Sequence, residues 1–91
     1  MNKKIKIGER MPQEYRECFR YPMVTVDCKN LIKEHDFIIT HQTLLNQCLG
    51  SNPITVVGYE LIKELIPIAS NRLDEILPPL VKTNRKLKKL L

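Results

Sequence analysis

Apolar and polar positions alternate at two places near the N-terminus and adopt a helical spacing further on. Lys4, Ile5, Lys6 and Ile7 alternate, which predicts a short strand over 3–7 with one buried face, closed by Gly8. Met23-Val24-Thr25-Val26-Asp27-Cys28 is β-branched and puts Val24, Val26 and Cys28 on one face. This pattern predicts a second strand, paired with the first. Between the two, Pro12 allows a short helix with Tyr15 and Phe19 four apart on one side, ending before Pro22. Two strands alone are marginal, so helices have to pack against them.

From Asn30 the period lengthens. Leu31 and Ile32 can open a short helix capped near Asn30, and Phe37-Ile38-Ile39-Thr40 reads as a third strand or as the apolar approach to a helix. Thr40 suits the N-cap of a helix over 41–49, and Gly50 supplies the left-handed residue that ends it. Asn52-Pro53 repeats the start signal. Ile54, Val57, Gly58, Leu61 and Leu65 then fall at i, i+3, i+4, i+7 and i+11, one face of a helix. The β-branched run Ile54-Thr55-Val56-Val57 competes with that reading but is far shorter than the periodic stretch, so helix is favoured. Pro67 removes an amide donor and predicts an end or a kink. A further helix carries Ala69, Leu73, Ile76, Leu77 and Leu80, interrupted by Pro78-Pro79.

The expected fold is α+β, a small N-terminal two- or three-stranded sheet packed on three or four short C-terminal helices, within one domain over 1–91. A βαβ arrangement with strands at 23–28, 37–40 and 54–57 is the second reading. Its first crossover, over 29–36, is shorter than a parallel connection usually requires. In the last segment, 80–91, Leu80, Leu87 and Leu91 lie within about 20° of one line at helical spacing. Lys82, Arg85, Lys86, Lys88 and Lys89 fill the other side, so a basic amphipathic C-terminal helix is expected.

Charge changes this picture. Residues 1–10 hold Lys3, Lys4, Lys6 and Arg10 against Glu9, and residues 82–91 hold five cations and no acid, whereas the chain between them is mildly acidic; the formal net charge is +5. Cations crowded at both ends repel one another unless a polyanion or an acidic partner neutralises them. An apolar fraction of 43% with no Trp calls for one modest aliphatic core. No apolar run approaches the roughly 20 residues of a membrane span, which predicts a soluble, cytoplasmic protein without a membrane partner. Cys18, Cys28 and Cys48 are odd in number and lack C-x-x-C spacing, as expected of reduced, buried thiols.

Motifs for chemistry are scarce. Gly8, Gly50 and Gly58 are too far apart for a phosphate-binding loop. Cys18, Cys28, His35, His41 and Cys48 match no zinc-ligand spacing, and a Cys–His nucleophile would need a third orienting group that the sequence does not supply. No enzyme, metal or cofactor is expected. The unit over 40–66 can be laid on a helix-turn-helix, with Leu45, Leu49, Gly50, Val56 and Tyr59 in the required places and Asn46 and Ser51 as departures. No aromatic residue lies in either cationic end, which disfavours single-strand stacking.

These features point to a small non-enzymatic nucleic-acid-binding protein, a helix-turn-helix-like regulator. Lys3, Lys4, Lys6, Lys82, Arg85, Lys86, Lys88 and Lys89 would contact phosphates, with Thr55, Val56 and Tyr59 near the groove. The alternative is a protein-interaction module, an inhibitor or accessory subunit, docking its basic and apolar faces on an acidic protein partner. The strip of Leu87, Leu90 and Leu91 also admits a homodimer through the C-terminal helix.

Overall fold

Six helical segments lie among the described residues. The computed structural model describes residues 5–75 and 81–89, apart from the side chains of 81–83, and this part is 68% helical with no strand. α1 (Gln13–Arg16) runs into a 3-10 turn (Glu17–Phe19), followed by α2 (Val24–His35), α3 (His41–Cys48), α4 (Val56–Glu75) and α5 (Val81–Lys88). The expected α+β fold is therefore corrected to an all-helical one, and the βαβ alternative falls with it.

Each expected strand fails for a local reason. The segment 23–28 opens α2, whose buried residues are Val24, Asp27, Cys28 and Leu31, the i, i+3, i+4, i+7 pattern of a helix. Val26, which the strand reading buries, is 43% exposed. Asp27 is buried instead, because Tyr21 Oη donates to its Oδ2 at 2.8 Å while Arg72 Nη2 donates to Oδ1 at 3.0 Å and Arg72 Nε to Oδ2 at 3.2 Å. Burial first, and the hydrogen bond to Asp27 second, raise the Tyr21 hydroxyl pKa, so it remains a donor.

In the expected first strand, Lys3 and Lys4 lie outside the described residues, and the chain turns at Ile7 and Gly8. The Gly8 amide donates to the Ile54 carbonyl at 2.7 Å, and the Ile54 amide donates to that of Glu9 at 2.9 Å, an isolated exchange without a sheet. Residues 37–40 are an irregular approach to α3, reached after Asp36 ends α2 in the left-handed region at φ 54°. Thr40 caps α3 through its side chain, which accepts from the Thr43 amide at 3.1 Å. Gly50 follows α3 at φ +81° with the Arg16 side chain packed where a Cβ would stand, so both its backbone and its surroundings require glycine.

α4 does not end at Pro67. It continues to Glu75 with Pro67 on the exposed side, where water can solvate the carbonyl that proline leaves unpaired. Its 20 residues span about 30 Å, against a longest molecular dimension of 35 Å, so α4 forms the spine. α2, α3, α5 and the 3-10 turn pack on it around Tyr15, Phe19, Leu44, Leu61, Leu65, Leu73 and Leu87. The residues 76–80, including Pro78-Pro79, lie outside the described part.

Candidate functional site

The cationic face expected at the C-terminal end is carried by α5. Arg85, Lys86, Lys88 and Lys89 are exposed, whereas Leu87 is fully buried and Asn84 nearly so. Asn84 fixes the helix to α4: its Oδ1 accepts from Ser70 Oγ at 2.9 Å, and its Nδ2 donates to the Ser70 carbonyl at 3.1 Å and to the Asp74 carboxylate. A buried carboxamide with both ends bonded fixes orientation more sharply than a leucine contact alone. Lys88 Nζ lies 3.2 Å from Asp74 Oδ1. α5 also touches α1 and the 3-10 turn, where burial first and Glu17 second push the Cys18 thiol up to about 11, with Lys86 pulling the other way.

Other expected site residues lie elsewhere. Lys3, Lys4 and the side chain of Lys82 are outside the described residues, as are Leu80, Leu90 and Leu91. Lys6 is exposed and close in sequence to the Gly8–Ile54 pairing, which ties the N-terminal segment to the loop before α4. Thr55 and Tyr59 sit at the start of α4, and Ser70 and Asp74, which hold α5, near its end. The rise of a helix puts about 17–28 Å between the two sets. The groove candidates and the described cations of the tail therefore lie toward opposite ends of α4. Leu87 is covered within its own chain, which removes it from the strip offered for a homodimer.

The α3–α4 unit is built around a latch. Gln47, buried, accepts from the Thr55 amide at 3.2 Å and donates through Nε2 to Thr55 Oγ1 at 3.2 Å, while Thr55 Oγ1 caps α4 by accepting from the Gly58 amide at 3.1 Å. A Cβ on Gly58 would stand 1.7 Å from Gln47 Oε1, so the absence of a side chain at 58 lets Gln47 reach Thr55. The connection over 49–55 is longer than the three or four residues of a DNA-reading helix-turn-helix. On the outward face of α4, Glu60, Glu64, Asp74 and Glu75 are exposed beside the single cation Lys63. Lys63 pairs with Glu60 at 3.3 Å and sits 5.2 Å from the half-buried Tyr59 ring.

The sequence reading missed one surface. In the loop between α2 and α3, Ile38 is fully exposed with Phe37 and Ile39 half-buried beside it. Two open hollows flank the loop, one of about 510 Å³ lined by Phe37, Ile38, Ile39, Thr40 and Thr43, the other of about 340 Å³ lined by Lys29, Ile32, Lys33, Ile39, Thr40 and His41. Three consecutive apolar residues directly after a helix-ending Asp were the available signal, and strand propensity obscured it.

The thiols and imidazoles weighed above as a zinc or nucleophile set have separate partners. Cys28 and Cys48 hydrogen-bond to one another in the core; that bond first, and burial second, hold the Cys48 thiol well above its ordinary pKa. His35 instead pairs with Glu64 and stacks on Phe37 with centroids 5.6 Å apart. Among the described residues no group of three or more His, Cys, Asp or Glu is placed to hold a metal ion, and no helix is long and apolar enough to cross a membrane. Compared with protein-family models, with curated proteins and with solved structures, the chain matches none.

Proposed function

We propose that the protein is a non-enzymatic nucleic-acid-binding protein that contacts the phosphate backbone through the outer face of α5. The observation that carries this reading is the display of Arg85, Lys86 and Lys88 on one short helix seated by Leu87 and Asn84, with Lys89 exposed in the turn directly after it. Cations held on an ordered element neutralise neighbouring phosphates with little loss of conformational freedom beyond that of the side chains themselves. The outward face of α4, with Glu60 and Glu64 around Lys63, would meet a duplex with net repulsion. Backbone contact is therefore favoured over groove reading by Tyr59, and Thr55 acts as a helix cap.

The same cationic face could dock on an acidic protein. That alternative is weaker because the tail's described apolar residue, Leu87, is buried and offers no anchor. The test is fluorescence anisotropy on a labelled 20-base-pair duplex and on an RNA hairpin at low salt. Lys86→Glu with Lys89→Glu should weaken both complexes by at least tenfold, while Tyr59→Ala leaves affinity and sequence preference unchanged. Absence of binding to either nucleic acid at low salt, where electrostatic attraction is strongest, would refute the proposal.

A further inference from the structure

We propose that the α2–α3 loop and the hollow beside it are a docking surface for a short acidic amphipathic segment of a partner protein. The surface belongs to α2, α3 and their connection, whereas α5 packs on α1, the 3-10 turn and α4, so the inference goes beyond the nucleic-acid reading. Folding has not hidden Ile38: its side chain is fully exposed and lines the larger of two hollows that share Ile39 and Thr40. An isolated exposed isoleucine would need no explanation, but here Phe37, Ile39 and Ile32 lie partly open beside it.

Charge complementarity selects the occupant. The titratable groups lining the smaller hollow are Lys29, Lys33 and His41, and the apolar floor between them is Ile32 and Ile39. Carboxylates spaced along a peptide can meet Lys29 and Lys33 while one large apolar side chain enters this hollow over Ile32 and Ile39, and a neighbouring one packs on Ile38 in the larger hollow. Glu34 and Asp36, exposed on the same stretch, bear on the choice between a peptide and a lipid surface. A peptide can keep its acids on the Lys29–Lys33 side, but an anionic bilayer approaching Ile38 would face these two carboxylates as well.

The test pans a displayed library of random 12-residue peptides against the full-length protein and measures the enriched peptides by fluorescence polarisation. The expected result is enrichment of peptides with one or two large apolar residues flanked by Asp or Glu. Ile38→Ser should weaken their binding at least tenfold, and Lys29→Glu with Lys33→Glu at least fivefold. Both sites are exposed, so these variants should keep the wild-type thermal transition. Lys86→Glu on α5 with Lys89→Glu just after it should leave the peptides bound, which separates failure of this surface from failure of the nucleic-acid reading. No enrichment, enrichment of basic or uncharged peptides, or equal binding by Ile38→Ser would overturn the proposal. So would Ile38-dependent pelleting with phosphatidylcholine–phosphatidylserine vesicles, or an Ile38-dependent dimer in sedimentation, since each assigns the surface to another occupant.

Discussion

Gly58 and Gln47 determine how the third helix meets the fourth. With a side chain at 58, the Gln47 amide must leave its place against Thr55, and a buried carboxamide that loses its partners costs about 1–3 kcal/mol. Alanine in a helix gains about 1 kcal/mol over glycine, which offsets part of this loss. Gly58→Ala should therefore destabilise by up to about 2 kcal/mol in chemical denaturation. In a Gln47→Ala background the same substitution should become neutral or stabilising, because nothing then occupies the space. Additive effects of the two substitutions would contradict the latch. Cys18 gives a second test at this scale. With its pKa pushed up to about 11, about one thiol in a thousand is ionised at pH 8. Iodoacetamide should therefore label Cys18 at least roughly 100-fold more slowly in the folded protein than in urea, followed by mass spectrometry. Equal rates would mean that the thiol is neither buried nor perturbed.

Elements with their own start and stop signals were legible in the sequence; those defined by distant partners were not. Thr40 and Gly50 bound α3 through local chemistry, a side-chain cap and a left-handed residue, and the spacing of Val57, Leu61 and Leu65 carried α4. α2 was misread because its helical core face includes Asp27, which looks like a surface residue until Tyr21 and Arg72, the latter 45 positions away, supply its hydrogen bonds. Of the end or kink that Pro67 predicts, the end does not occur, because its effect depends on which side of the helix it occupies, and that side is solvent. The cationic face of α5 was visible, but the burial of Asn84 beside Ser70 was not, since nothing in the local pattern marks a polar residue as an anchor. That anchor carries a prediction. Leu87→Ala should cost about 2–5 kcal/mol, and Asn84→Ala about 1–3 kcal/mol. Both should accelerate amide hydrogen exchange in α5 more than in α2. Unchanged exchange in α5 would show that these two side chains do not hold it.

Across the whole molecule, charge and packing are sorted along the spine. Lys6 belongs to the N-terminal segment bonded to the loop before α4, acids line the outward side of α4, and the cations of α5 are held near its far end. Folding thus places Arg85, Lys86, Lys88 and Lys89 on the surface near one end of α4, and Thr55 and Tyr59, candidates for the same interface in the sequence, at the other. The apolar patch at Ile38 is a further surface, on different helices. The most direct measurement of backbone binding by α5 is the slope of log affinity against log salt for a generic duplex. It should be taken on the full chain and on a variant with Arg85, Lys86, Lys88 and Lys89 all replaced by alanine, with Leu87 and Asn84 retained. Each phosphate contact contributes about 0.9 to that slope, so the variant should lose about three to four units, fewer if Lys88 stays with Asp74. An unchanged slope in a folded variant would place the cations of α5 outside the interface and contradict the proposed function.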